Sequence, residues 1–249
     1  MRMLNGLLKL SWIETKVFLR EPLGVIGSLA MPVIIFVIFG RSMRGAPRDA
    51  ATLARLPFNI TILSAILIAL GAVQSLIAIM AIYREGGILK RLRATPLSPV
   101  TILGAHVLVK LVFTAVGLAL LILAGKRVLP GALPVNLVSF TAAVLVSTLS
   151  ILSLGFVLAS IVPTARFAQP LGAALLYPML FLSGLFFPVE RLPSGLRAVS
   201  AILPTTHAVT LMSDVWSGTG WGAHWGSIAA LLVTFVGCIG LSARWFRWE

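Results

Sequence analysis

Long runs without a single charge set the terms for what this chain can fold into. Leu56 to Tyr83 holds no charged residue, and Arg127 and Arg166 bracket a second such run. A helix rises about 1.5 Å per residue, so roughly 20 residues cross the hydrocarbon layer of a bilayer. Both runs exceed that length. Segments such as PVIIFVIFG and SAILIALG lack the alternation of apolar and polar residues that a membrane barrel strand requires. The expected fold class is therefore all-α, a polytopic membrane protein. Composition agrees: 59 % of the 249 residues are hydrophobic and 11 % charged, too little polar surface for a soluble core of this size.

Proline and charge divide the chain into six expected transmembrane helices, near 23–40, 57–82, 101–124, 137–161, 170–187 and 226–243. Residues 7–21 should form an interfacial helix ahead of the first. Leu8, Trp12 and Leu19 lie roughly on one side of it, while Lys9, Glu14, Lys16 and Arg20 make the rest more polar. Trp12 suits the headgroup layer, and Pro22 turns the chain into the first span. With this stretch in front of the first span, no cleavable signal peptide is expected. Residues 196–213 are apolar but short, interrupted by Pro204 and flanked by Arg197 and Asp214. They are expected to form an outer re-entrant or interfacial segment between helices five and six rather than a seventh crossing.

Orientation follows from Lys and Arg near the span ends. Six spans put Arg2, Lys9, Lys16, Arg20, Arg84, Lys90, Arg91, Arg93, Arg166, Arg244 and Arg247 on one side, with Lys110 close to it. The smaller set, Arg41, Arg44, Arg48, Arg55, Lys126, Arg127, Arg191 and Arg197, falls on the other. Both termini should be cytoplasmic, with the chain in the cell membrane. The net charge of +13 then belongs to loops near anionic headgroups, with membrane lipid and not nucleic acid as partner.

Several chemistries are absent from the sequence. There is no GxxxxGK[ST] phosphate loop, no HExxH and no GxSxG, so neither catalytic nor metal-binding residues are assigned. Cys238 stands alone in an apolar run, which rules out an intrachain disulfide. The seven acidic residues, Glu14, Glu21, Asp49, Glu85, Glu190, Asp214 and Glu249, all avoid the expected span centres. Ion-driven transporters usually keep an ionisable group at depth. This chain reads instead as a conduit powered from outside itself. The segment YREGGILKRLRATPLSP, 83–99, follows the second span on the expected cytoplasmic side. Glu85 near the start of a short helix and Lys90, Arg91 and Arg93 near its end would suit the macrodipole. Leu89 and Leu92 give a small apolar face. Such a helix can dock into a cleft of a soluble partner. The bland alternative is ordinary positive-inside charge with a Pro-rich turn.

Three stretches together resemble the permease subunits of ABC-2 type exporters: the segment before the first span, EGGILKRLRATPLSP, and FLSGLFFPVERLP followed by ILPTTHAVTLMSDV. The resemblance covers essentially the whole chain as one transmembrane domain, 1–249. It implies that 84–93 is a coupling helix contacting a separate ATPase, through Glu85, Gly87, Leu89, Lys90, Arg91, Leu92 and Arg93. Ile88 stands where the family motif usually has a hydroxyl residue, and Ser213 where it often has Arg. The resemblance further implies two ATPase copies that hold ATP and Mg, none bound by this chain, and a second permease chain as homodimer or heterodimer. Asn59, Gln74, Ser75 and Ser183 are polar candidates for the substrate path. The Ser183-Gly184 pair permits close helix approach. With Phe186, Phe187 and Pro188, Gly184 would form an outer gate.

The uncharged spans suit an amphiphilic drug, antibiotic or lipid-like substrate. A polysaccharide or lipid-linked glycan is the second candidate, disfavoured because stacking aromatics are few in the spans and the chain has only two Tyr. A non-transporting membrane sensor or scaffold is the alternative of another class. A neighbouring gene for a P-loop ATPase would separate the classes.

Overall fold

A computed structural model describes residues 2–20, 22–42, 60–88, 99–128, 136–162, 164–186, 188–218, 221–223 and 225–245. Among these residues the regular structure is helical throughout. Helix α1 is Arg2–Leu19, α2 is Pro22–Val25 and α3 is Met31–Ser42. The second expected span appears as α4 (Ile60–Ile66) and α5 (Ser75–Glu85). Helices α6 (Pro99–Val128), α7 (Leu137–Ile161) and α8 (Ala165–Leu182) follow. Two short helices, α9 (Ser194–Ser200) and α10 (Pro204–Ser217), precede α11 (Trp225–Trp245).

Among the described residues, three segments are long and apolar enough to cross a membrane: Gly104–Arg127, Leu137–Ile161 and Trp225–Ser242. They match expected spans three, four and six. The first two expected spans contain wide π-helical turns, Ile26–Ala30 and Leu67–Gln74. The fifth starts earlier than expected. Phe167 and Ala168 both donate to the Thr164 carbonyl at 3.1 Å, so the helix is under way before Pro170. Pro170 and Pro178 both lie inside α8. It also ends earlier, at Leu182, because Gly184 takes a left-handed turn with φ +85°.

Span two forms the core. Leu63, Ile68, Val73 and Ile77 are fully buried, and Phe140, Leu176, Leu211 and Met212 close around them from α7, α8 and α10. By contrast, α11 exposes Leu232, Val233, Val236 and Ile239. That surface would be insoluble in water and is at ease against lipid. Asn136 starts α7 by accepting from the Val138 and Ser139 amides, which satisfies two donors that lack an intrahelical partner.

Side-chain bonds order the bundle's two ends. Ser150 bonds the Leu231 carbonyl at 2.9 Å, and Ser160 meets Ser242 at 3.3 Å, so α7 and α11 run parallel. Arg84, at the end of α5, bonds the Ala159 and Val162 carbonyls at the end of α7. Glu14 of α1 accepts from Tyr83 at 2.7 Å. The N-terminal helix, the exit of span two, the exit of α7 and the C-terminal turn of α11 therefore share one end. At the other end, α10 touches α8 and α7 near its own two termini. Thr205 donates to the Met179 carbonyl at 3.1 Å, and Trp216 packs edge-on to Phe140 with centroids 4.9 Å apart. Met179 is near the end of α8 and Phe140 near the start of α7. Helix α10 thus lies across one end of the bundle. Its 14 residues span about 21 Å, less than a bilayer's hydrocarbon core.

Candidate functional site

The stretch after span two is seen only at its root. Glu85 closes α5, and Gly86 and Gly87 turn the chain away, Gly87 with φ +67°. Glu85 is the last residue of α5, at the end where the macrodipole disfavours a carboxylate, and the chain is helical again at Ile88. Both Glu85 and Ile88 are exposed. Leu89, Lys90, Arg91, Leu92 and Arg93 lie outside the described residues, as does the apolar face expected there. Arg84, the first residue of the expected 84–93 segment, is the better-anchored neighbour. Its guanidinium meets the carbonyls left over at the end of α7, a favourable place for a cation.

Directly before Arg84 lies a buried polar cluster absent from the sequence-derived site. Glu14 is 4 % exposed, His106 2 % and Lys110 3 %. Tyr83 donates to one Glu14 oxygen, while His106 Nδ1 stands 3.6 Å from the other. The Tyr83 and His106 rings meet edge-on, 5.7 Å apart. Lys110, one turn beyond His106, lies with its Nζ 4.6 Å from the centre of the Phe18 ring. Phe18 in turn packs on Phe113. Burial pushes the Glu14 carboxyl up, while the Tyr83 hydrogen bond and the Lys110 charge pull it back down. A signal was present: His106 and Lys110 are four apart in an apolar run, and ionisable groups at such depth need partners.

This cluster also corrects the polarity of α1. Glu14 faces inward with Ser11 and Phe18, opposite the other polar residues. Lys9, Lys16 and Arg20 form an exposed cationic stripe flanked by Leu8, Trp12, Ile13, Val17 and Leu19. Lys16 sits over the Trp12 ring. The contacts step along both helices, Glu14 to His106 and Phe18 to Phe113, so α1 leans along the first half of α6.

Of the expected path residues, Gln74 has the most informative setting. It ends the π-helical stretch and donates to the Gln169 carbonyl at 3.1 Å and to its side-chain oxygen at 3.0 Å. Gly172 of α8 leaves the room it occupies, since a Cβ there would lie 2.6 Å from Gln74 Oε1. A carboxamide pair thus joins span two to α8. Gln169 falls just outside the fifth span expected from residue 170, and α8 takes it in. Ser75 opens α5, and Asn59 lies outside the described residues. Ser183 is not aligned with Gln74. It is buried at the end of α8, where its hydroxyl donates to the Leu180 carbonyl at 2.6 Å, which accounts for its polarity locally.

At the expected gate, Gly184 has a conformational reason for being glycine, its positive φ, in addition to the nearby Val189 side chain. Phe186 is half exposed and stacks loosely on Phe181, with centroids 6.2 Å apart. Pro188 is exposed and leads into a 3₁₀ turn, Val189–Arg191; Phe187 lies outside the described residues. Among the described residues, no three His, Cys, Asp or Glu side chains gather to hold a metal ion.

Apolar helices around a buried second span define an integral membrane protein. The family model of the ABC-2 type transporter matches residues 6–215, and the chain belongs to this family. The family is one of transporters. It is also similar to Nodulation protein J of Rhizobium leguminosarum bv. viciae, 33 % identical over 73 residues, which is 29 % of this chain and 28 % of that protein. Nodulation protein J of Rhizobium meliloti (strain 1021) is 28 % identical over 102 residues, 40 % of this chain and 39 % of that protein. The matched segments thus span well under half the length of these relatives.

Proposed function

We propose that this chain is the transmembrane subunit of an ATP-driven exporter, moving an amphiphilic drug, antibiotic or lipid-like substrate out of the cell. The observation that carries the reading is the family match across 6–215. Six crossings with both termini cytoplasmic are the topology in view. The parallel course of α7 and α11, and the position of α10 across one end, support it. Two copies, or this chain with a related one, would enclose the path, and two ATPase subunits would sit beneath with ATP and Mg. Residues 84–93 would receive the ATPase's motion. Tyr83 and Arg84 support that role, because consecutive residues fix the root of the segment to α1 and α7. Gln74 and Gln169 would offer hydrogen bonds to a polar group on a largely apolar cargo. Both relatives are named for nodulation, which identifies neither drug nor lipid. The substrate class therefore rests on the uncharged spans.

The test is purification with the ATPase subunit and measurement of substrate-stimulated hydrolysis in lipid. Glu85→Arg and Leu89→Asp should leave membrane insertion intact and uncouple hydrolysis from transport. Undiminished co-purification with unchanged transport in both variants would refute the coupling role.

A further inference from the structure

We infer that the Glu14 cluster is a mechanical joint: it makes α1 follow the root of the 84–93 segment, so that motion delivered there displaces α1 as well. The inference rests on the coupling reading of 84–93 and adds a positioning role for Glu14 and Tyr83. Three observations carry it. First, the cluster joins α1 to both helices that bracket the segment. Tyr83 lies in the last turn of the incoming helix, two residues before Glu85, and His106 and Lys110 lie in the first half of the outgoing α6. Second, Tyr83 and Arg84 are neighbours that grip different elements, α1 and the end of α7. A displacement of this root cannot leave α1 behind while the Tyr83 bond holds.

Third, the cluster is a poor device for holding α1 still. Ser11 Oγ and His106 Nε2 are buried there without a hydrogen-bond partner among the described residues. Incompletely satisfied polar groups in a low-dielectric site cost more than apolar packing would. Phe18 on Phe113 already supplies an apolar grip on α6. What the polar groups add is direction: the Tyr83 hydroxyl and the Glu14 carboxylate must meet head-on, at 2.7 Å. Such a bond transmits displacement and specifies register, and sliding apolar contacts do neither.

The test uses the permease–ATPase complex in lipid, with Cys238→Ala as background and an environment-sensitive fluorophore on one introduced cysteine at a time. Val17→Cys reports on the exposed face of α1, and Ile82→Cys on the root, both positions being exposed. Trapping the ATPase with ATP and vanadate should shift the emission of both probes. Tyr83→Phe, which removes one oxygen atom, should reduce the Val17→Cys shift by at least half and leave the Ile82→Cys shift in place. Glu14→Gln with Tyr83 intact, which still accepts from Tyr83, should keep most of the shift, and Glu14→Leu should not. A root that shifts while α1 stays still in the unaltered complex would overturn the joint, and needs no cluster variant to be seen. A full α1 shift in Tyr83→Phe would overturn it as well. A root that does not respond to trapping would overturn the coupling reading underneath, and the joint with it.

Discussion

Gly117→Ala offers a sharp test of how the two π-helical stretches are packed. Gly117 lies in α6, and an added Cβ would stand 2.4 Å from Leu67 Cδ1 and 3.1 Å from Leu29 Cδ2. Leu67 opens one π-helical stretch, and Leu29 lies within the other. Carbon atoms settle about 3.5–4.0 Å apart, so Leu67 must retreat by roughly 1 Å or more. It is buried and hemmed in by the core, so the retreat disturbs its neighbours. Overpacking of this kind costs about 1–3 kcal/mol. Replacing a helical glycine by alanine returns about 1 kcal/mol through helix propensity. Gly237→Ala supplies that gain alone, because nothing lies within 4 Å of its added Cβ. The difference between the two variants therefore isolates the steric part. At about 2–4 °C per kcal/mol for a chain of this size, Gly117→Ala should melt about 2–12 °C below Gly237→Ala. Tryptophan fluorescence in detergent at one fixed scan rate is a suitable assay, since such melts are often irreversible. A Gly117→Ala protein melting at or above Gly237→Ala would refute the packing described.

Two further outcomes follow from the same geometry. Gly184→Ala should destabilise by roughly 1–2 kcal/mol because a left-handed conformation penalises Cβ, and Gly184→Asn should be no worse because Asn tolerates that conformation; thermal melting in which the bulkier Asn is clearly the worse variant would restore close packing as the reason for glycine. In a Cys238→Ala background, cysteines at positions 50 and 220 should both react with a membrane-impermeant reagent added outside; protection of position 220 with labelling of the C-terminus would defeat the six-crossing topology.

The sequence made the helical class legible because missing charge over twenty or more residues leaves few alternatives. It located α6, α7 and α11 closely for the same reason. It misjudged α8 at both ends. The fifth span is expected from residue 170, yet the Thr164 carbonyl starts the helix before it, and Pro170, the sixth helical residue, forgoes the amide bond to the Arg166 carbonyl without ending the helix. The π-helical turns left no mark, because a wider turn changes hydrogen bonding without changing hydropathy.

The buried cluster shows the deeper reason why the site was only half visible. The reading along the chain treated charge as something that stays in loops, and each member of the cluster passes that rule taken singly. Glu14 lies in a helix ahead of the first span, Tyr83 ends the second, and Lys110 is near enough to an end of the third to snorkel. Only their assembly breaks it. Glu14 and Tyr83 are 69 residues apart in sequence, and no pattern with a helical period links them. The exposed face of α1 carries Lys9, Lys16 and Arg20, while its single acidic residue in this stretch points inward. An amphipathic helix that only rested on the membrane would gain by exposing all four charges to water and headgroups. Turning the carboxylate inward costs desolvation, and Tyr83 and Lys110 offset it only because α1 holds one rotation about its own axis. The direction in which Glu14 points is therefore the feature that joins α1 to the root of the 84–93 segment, and it is a property of three helices together.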